Sequence, residues 1–307
     1  MAAASADIPE TSHLNQYCAG NQYAPVYGFQ AHCICMKFEV KAASLTGGYL
    51  FMIDGTTFAP VPQQRIRDKV DECMSRKDYA GVEKVLSYWL QEAEAGQDLR
   101  GRLMILNEMV GHYRKTGERE KAHLRADDAL ALLSSLEYEN AISGATTYVN
   151  IGTAFNAFGE NDAALPLFEH ARHIYEKSAG TDPQLLGGLY NNMGLTYTAL
   201  GRYEEALAVF HKALDTMKHV PGGSLDAAIT CLNMADTKEA QLGMEEAESE
   251  IFMLLERAES CLTDSSFPKD GYYAYVCERC APVFEYYGWF AAANRLKQEA
   301  ADIYERS

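Results

Sequence analysis

The sequence predicts an all-α protein, a solenoid of about six helical hairpins stacked side by side. Two observations lead to this prediction. The stretch from residue 190 to 214 has the pattern of two short amphipathic helices, and features of that pair recur along the chain every 42 residues. One such pair cannot bury its apolar face alone, so it needs copies of itself as neighbours.

The stretch 190–214 defines the repeating pair of helices. In its first helix, one face carries residues spaced i, i+3, i+4 and i+7, namely Tyr190, Met193, Gly194 and Tyr197. Gly201 interrupts this pattern and predicts a tight turn. The second helix has a similar face, formed by Ala206, Phe210, Ala213 and Leu214. We expect the small residues Gly194 and Ala206 where the two antiparallel helices approach each other closely.

Four aligned positions recur in successive copies of this pair. The turn glycine is found at Gly117, Gly159, Gly201 and Gly243. An aromatic or long residue precedes it, at Tyr113, Phe155, Tyr197 and Lys238. A small residue follows, at Ala122, Ala164, Ala206 and Ala247, and then a more variable apolar slot, at Ala126, Phe168, Phe210 and Ile251. Agreement over four copies is a far stronger signal than any single short motif.

The pattern resembles the tetratricopeptide repeat (TPR), whose usual period is about 34 residues. The 42-residue spacing, with the stretch NNMGLTY in the first helix, is similar to the longer repeats of the kinesin light chain type. The resemblance covers roughly residues 61–307 and implies a right-handed α-solenoid. From the position of each residue within the repeat, its units are predicted to span about 63–100, 103–140, 145–182, 185–221, 227–264 and 271–306.

Residues 1–60 do not share the repeat pattern, and we predict a leader that is disordered or holds a short β-hairpin. The pair Asp54-Gly55 lies between β-prone residues, which is a hairpin signal. The alternative is that the natural start is Met36 or Met52 and that the residues before it are unstructured.

Composition favours a protein partner over nucleic acid or membrane. The chain has 27 basic and 43 acidic residues and a net charge of −16, whereas nucleic-acid binding needs a basic stripe. The same charge disfavours anionic membrane surfaces and favours a basic or amphipathic protein ligand. No apolar run has the length of a membrane helix, and the start lacks the pattern of a secretory signal. The eight cysteines form no dense framework, so we expect reduced thiols and a cytoplasmic protein.

The sequence predicts neither an enzyme nor a cofactor. It contains no phosphate-binding loop, no dinucleotide-binding glycine motif and no zinc-protease motif. Cys277 and Cys280 have the spacing of half a zinc site, but a second half is missing, and both thiols fall on the predicted core face. His170 and His173 are expected on the solvent side of a second helix. We therefore expect no metal site and no catalytic residue.

The most informative polar pattern is an asparagine that recurs in the first helix of three successive units, at Asn150, Asn192 and Asn233. Asparagine is a mediocre helix former, so three in register need a reason. The resemblance implies that this slot lies on a concave surface, where the amides hydrogen-bond the backbone of an extended peptide. The alternative is that the amides bond each other, or water, as a structural ladder.

Neighbouring positions on the same surface would set specificity. By phase they are Thr153, Asn191, Leu195, Thr198, Asp236 and Glu239. Asp236 and Glu239 would favour a basic ligand side chain. Some relatives hold a terminal carboxylate with basic residues beside such asparagines, but Val149, Asn191 and Leu232 stand at those positions here. A basic cluster in the second unit, His112, Arg114 and Lys115, is expected to be a solvated face.

The expected function is a non-enzymatic interaction module that binds an extended peptide or a partner helix in the concave groove. Two other functions are compatible with the sequence. One is a peptide-sensing regulator whose superhelix changes shape on binding, and the other is a structural scaffold that uses its convex face. The sequence predicts neither the identity of the partner nor the oligomeric state.

Overall fold

A computed structural model describes residues 51–53, 56–58, 60–218, 220–264 and 267–306. Within these ranges the chain forms twelve α-helices, which pair in order into six hairpins. Their bounds are α1 Gln63–Ser75, α2 Tyr79–Ala95, α3 Leu99–Thr116, α4 Arg119–Ser135, α5 Ile142–Ala157, α6 Asn161–Lys177, α7 Pro183–Ala199, α8 Tyr203–Met217, α9 Gly223–Leu242, α10 Met244–Thr263, α11 Gly271–Tyr286 and α12 Phe290–Tyr304. The prediction of an all-α solenoid is confirmed.

Two three-residue strands precede the helices. They are β1 (Phe51–Ile53) and β2 (Thr56–Phe58), which pair antiparallel with Ile53 opposite Thr56. The expected turn at Asp54-Gly55 and the expected leader before residue 51 lie outside the described residues.

A left-handed residue closes the turn within each hairpin. In the fourth hairpin it is Gly201, with a φ of +71°, and glycine has the same role in the other hairpins after the first. The first hairpin instead places Lys77 at a φ of +57°. A side chain is disfavoured in this conformation, so the first unit departs from the repeat pattern at its turn.

Aspartate caps start two helices earlier than the repeat spacing predicts. The carboxylate of Asp98 accepts a hydrogen bond from the backbone N–H of Gly101, and α3 therefore begins at Leu99 rather than near residue 103. Asp182 caps α7 in the same way, with Pro183 as the first helical residue.

Each central hairpin is held together by a phenylalanine that fits against a glycine. Phe168 of α6 and Phe210 of α8 have no solvent exposure. A Cβ atom added to Gly152 would lie 2.8 Å from Cε1 of Phe168, and one added to Gly194 would overlap the ring of Phe210. The absent side chain therefore lets the two helices of a hairpin approach closely.

The first helices of consecutive hairpins form a continuous row. Contacts join α3 to α5, α5 to α7, α7 to α9 and α9 to α11. Buried apolar residues form two clusters, one from Val61 to Ala154 and the other from Ala145 to Ala300, and the two meet in α5. In the described part of the chain, no helix combines the length and apolarity needed to cross a membrane.

Candidate functional site on the inner surface of the first helices

The candidate site is the side of α3, α5, α7, α9 and α11 that faces away from their own second helices. We call it the inner surface. Its position follows from helix geometry, because successive residues are rotated by about 100°. Gly152 faces Phe168 of α6, and Asn150, two residues earlier, lies about 200° round the helix. Asn192 has the same relation to Gly194 in α7, so both asparagines are on the inner surface.

The three predicted asparagines each connect one hairpin to the preceding one. The amide nitrogen of Asn150 donates to Oδ1 of Asn107 at 2.9 Å. The next two bonds run from Asn192 to the hydroxyl of Thr153 at 3.2 Å and from Asn233 to Oδ1 of Asn191 at 3.0 Å. The amide N–H groups thus form a ladder between units, as the structural alternative expects. Asn107 is a further member, which the sequence pattern did not single out.

Threonines extend this ladder across the same helix row. The hydroxyls of Thr198 and Thr237 are 2.8 Å apart between α7 and α9, and both residues are buried. Asn156 of α5 donates to the hydroxyl of Thr196 of α7 at 3.0 Å. We call the set of asparagines and threonines that bond across first helices the polar seam. Because these bonds are directional, the seam fixes how successive first helices are aligned.

The polar seam leaves part of its hydrogen-bonding capacity unused. Among the described residues, nothing donates to Oδ1 of Asn150 or of Asn192, and both side chains are half-buried. The amide nitrogen of Asn191 has no acceptor there either. Asn233 differs, because only 6% of it is exposed. Asn150, Asn191 and Asn192 thus retain donors and acceptors near solvent, whereas Asn233 is almost covered.

Two glycines on the inner surface leave room beside the polar seam. A Cβ atom added at Gly111 of α3 or at Gly188 of α7 would meet no atom of the described residues within 4 Å. In the 42-residue repeat, Gly111 aligns with Thr153 of the next unit and with Leu195 of the unit after that. Leu195 is half-buried and adds an apolar element to the surface.

The acidic end of the inner surface is organised by tyrosines from the last hairpin. The hydroxyl of Tyr287 donates to Asp236 at 2.8 Å and to Glu239 at 2.9 Å, and Tyr286 donates to Glu239 at 2.7 Å. Burial raises the pKa of Asp236 to about 7, although the bond from Tyr287 acts in the opposite direction. Burial and the neighbouring Asp236 also raise the pKa of Tyr287. The sequence pattern located both acids but not their tyrosine partners.

The basic cluster of the second hairpin is not the solvated face that the sequence suggested. His112 is 5% exposed, and its burial lowers its pKa. Lys115 is half-buried, with Nζ 5.7 Å from the ring centre of Tyr79, and burial lowers its pKa to about 8. The Glu278 carboxylate of α11 partly offsets that shift. The last hairpin is therefore within electrostatic range of the second across the inner surface.

The paired cysteines are buried, whereas the paired histidines are exposed. Cys277 and Cys280 are buried at 0% and 1% exposure, as predicted, and burial raises the pKa of Cys277 to about 12. His170 and His173 are exposed, also as predicted. In the described ranges, no three side chains of the metal-binding types converge.

Comparison with known proteins assigns the repeats to a family. Residues 145–184 and 185–261 each match a family profile described as the tetratricopeptide repeat. Among curated protein sequences, none matches the chain.

Solved structures of similar fold include TPR-like repeats ascribed to a kinesin light chain of Podosopora anserina. Their identity is 16% and the TM-score 0.47, with 66% of this chain and 94% of that chain covered. A single-residue variant of that protein has 16% sequence identity and a TM-score of 0.48, with 67% of this chain and 97% of that chain covered. BtubC (BKLC) from P. vanneervenii gives 16% identity and a TM-score of 0.45, with 78% of this chain and 89% of that chain covered.

The helix row and its hairpins define the class of the protein, a helical-repeat solenoid. The family matches lie on its third, fourth and fifth hairpins, where the 42-residue period is most regular. Residues 145–261 are tetratricopeptide repeats, with a spacing of 42 residues between their turn glycines. Proteins built from such repeats generally mediate protein–protein interaction.

Proposed function

We propose that the chain is a non-enzymatic, cytoplasmic protein-binding module that holds an extended peptide or a partner helix on its inner surface. The observation that carries this proposal is the continuous row of first helices, with half-buried amides along it. Asn150, Asn191 and Asn192 provide unused donors and acceptors of the kind that a peptide backbone can pair with.

The ladder gives the asparagines a role that is compatible with binding. A side-chain amide has two N–H donors and a carbonyl oxygen with two lone pairs, and each ladder bond uses only one of these. The bonds within the seam hold the amides in one orientation before a ligand arrives. Preorganisation of this kind reduces the entropy that is lost on binding.

The acidic end favours a ligand with a basic side chain there. Asp236 and Glu239 lie together on α9, and the tyrosine hydroxyls hold their carboxylates in place. A lysine or arginine of a bound peptide would be attracted to this end, whereas the half-buried Leu195 lines the middle of the row; Thr198, predicted beside it, is buried. These positions would set side-chain specificity.

A groove-filling substitution tests the proposal better than truncation of the asparagines, since truncation would also break the ladder. Gly188→Arg places a long side chain on the inner surface, where a Cβ meets no atom within 4 Å. Gly180→Arg is the matched control, because Gly180 is exposed in the loop before α7 and also has open space around it. Partners captured from native lysate by each purified protein would be identified by mass spectrometry.

We expect wild type and Gly180→Arg to capture the same protein partner and Gly188→Arg to lose it, with unchanged circular dichroism. A peptide mapped from that partner should then bind wild type at least about tenfold more tightly than Gly188→Arg, a difference of about 1.4 kcal/mol. Equal binding to all three proteins would contradict the proposal and place the binding site away from the inner surface.

A further inference from the structure

The outer surface of the last two hairpins exposes a cluster of aromatic side chains. Phe252 of α10 is 50% exposed and Phe290 of α12 is 60% exposed. Trp289 lies between the helices, and its ring is 5.4 Å from that of Phe252 in an edge-on arrangement. We call these three residues the outer aromatic patch. It faces away from the inner surface, because it lies on second helices and on the turn that precedes one of them.

Trp289 connects the outer aromatic patch to the core. It packs against the fully buried Phe284, with ring centres 5.8 Å apart. Farther along the same helices, Glu259 of α10 pairs with Arg295 of α12 at 3.2 Å. A group of exposed aromatic rings has the composition of a protein-binding surface, since aromatic residues are enriched at interface cores.

Carboxylates lie along α10 on both sides of Phe252. Helix α10 contains six glutamates and one arginine. Glu250 pairs with Lys238, and Glu259 pairs with Arg295. The remaining four are exposed and have no ion-pair partner among the described residues; they are Glu245, Glu246, Glu248 and Glu256.

Two of these glutamates are placed symmetrically about the apolar centre. Glu248 and Glu256 lie four residues before and four residues after Phe252, so each is one helical turn from the phenylalanine on the same face. A complementary partner must offer a bulky apolar group with a positive charge about one turn away on either side.

We propose that the outer aromatic patch docks a basic amphipathic helix of a partner protein. One apolar stripe of that helix would cover Phe252, Trp289 and Phe290, while lysine or arginine side chains one turn away would pair with Glu248 and Glu256. A symmetric contact with a second copy of this chain would bring the carboxylates of α10 against each other, which disfavours that occupant.

The chain offers a matched control surface on α4. Leu124 is 53% exposed and has Glu120 four residues before it and Asp127 three residues after it, both exposed. This surface has a similar apolar exposure and two flanking carboxylates, but a single aliphatic side chain in place of three aromatic ones. It therefore separates specific docking from general attraction to an acidic protein.

The test uses the full chain and a synthetic probe, an amphipathic helix of leucine and lysine about four turns long. The chain has two tryptophans, so a Trp89→Phe background leaves Trp289 as the single tryptophan reporter. We expect a saturable blue shift of its emission. Glu248→Lys/Glu256→Lys should weaken binding at least about tenfold, and Phe252→Ser/Phe290→Ser should do the same by isothermal titration calorimetry.

The control changes should have little effect. We expect Glu120→Lys/Asp127→Lys and Leu124→Ser to change the affinity less than about twofold, because exposed charges at a distance are screened. Equal losses from both charge reversals, absence of saturable binding, or equal binding of a probe with glutamate in place of lysine would overturn the proposal. So would a concentration-dependent dimer, seen by sedimentation, that Phe252→Ser/Phe290→Ser abolishes.

Binding of the probe to the outer aromatic patch can be distinguished from binding to the inner surface. Gly188→Arg fills the inner surface only, so this variant should bind the leucine–lysine probe as wild type does. Loss of probe binding in Gly188→Arg would assign the probe to the inner surface and contradict the docking site proposed here.

Discussion

Gly194 allows two helices to pack closely because it has no side chain. It faces the ring of Phe210 across the fourth hairpin, where an added Cβ would overlap that ring. Gly188, six residues earlier on the same helix, faces open space instead. Two glycines in one helix therefore have opposite relations to their surroundings, and the same substitution should have opposite effects at the two positions.

We predict that Gly194→Ala lowers the free energy of unfolding by about 1–3 kcal/mol, since overpacking forces Phe210 or the helix to move. Gly188→Ala should raise it by about 0.5–1 kcal/mol, because alanine loses less backbone entropy in a helix and meets no neighbour. Urea denaturation followed by circular dichroism would measure both. Equal effects of the two substitutions would contradict the packing described for the fourth hairpin.

The sequence indicated the packing residues better than the polar contacts. Phe210 occupies an apolar slot that recurs along the chain, and the pattern predicts close approach of the two helices at Gly194, so the packing of these two residues agrees with the sequence. The acceptor of Asn192 could not be predicted in this way. Its bond to Thr153 depends on how far one helix is rotated about its axis relative to the next, which a single repeat does not specify.

Helix α9 contacts α11, and the residue that follows α11, through hydrogen bonds from tyrosine to carboxylate. Tyr287 reaches Asp236 and Glu239, and Tyr272 donates to Asp226 at 2.6 Å. The other first-helix interfaces described above use asparagine and threonine instead. We therefore expect the stability of the α9–α11 interface to depend on pH through Asp236, since asparagine and threonine do not titrate.

We predict that Asp236 makes the protein less stable as pH rises from about 4 to about 7. Its pKa is raised from an ordinary value of 3.8 to about 7, so in this range the folded state binds a proton that the unfolded state has released. Asp236→Asn should remove a decline of the order of 1–3 kcal/mol, because the amide oxygen still accepts the bond from Tyr287. Thermal unfolding of both proteins across this pH range would measure the difference.

The comparison at a pH of about 4.5 serves as the internal control, since Asp236 is protonated there in the folded protein. Wild type and Asp236→Asn should be closest in stability at that pH and farthest apart at a pH of about 8. A constant difference at all pH values would mean that the carboxyl group titrates in the ordinary range.

At the scale of elements, sequence periodicity predicted the hairpins but placed several helix starts too late. Asp98 and Asp182 cap their helices before the first residue that fits the apolar pattern. The apolar pattern begins where a helix first contacts the core, whereas the cap residue determines where the helical backbone begins. The tyrosine bonds of α11 were missed because the 42-residue pattern gives no signal for them.

The whole molecule has two apolar clusters that meet only in the third hairpin. Ala145 and Val149 of α5 belong to one, and Ile151 and Ala154 belong to the other. In an array of this kind each unit is stabilised mainly by its neighbours, so a local loss of stability should not spread evenly along the chain.

We predict that Phe284→Ala, at a buried site of α11, increases hydrogen exchange in the last two hairpins and leaves α3 protected. The reciprocal change, Leu106→Ala in α3, should expose the first three hairpins and leave α11 protected. Each removes about 2–5 kcal/mol from its own region. Exchange measured by mass spectrometry would locate the effects, and a uniform rise in either variant would indicate a single cooperative unit.

The polar seam also bears on how such a chain can change in length. Asn150 bonds a partner 43 residues earlier and Asn233 a partner 42 residues earlier, so the spacing of these bonds closely follows the spacing of the turn glycines. An in-frame duplication of one 42-residue block would place a new asparagine opposite an existing acceptor. The seam bonds span 39–43 residues, so a block of a clearly different length would rotate donor away from acceptor. The seam therefore restricts insertions and deletions to whole modules, and it gives protein engineers a natural unit for extending or shortening the array.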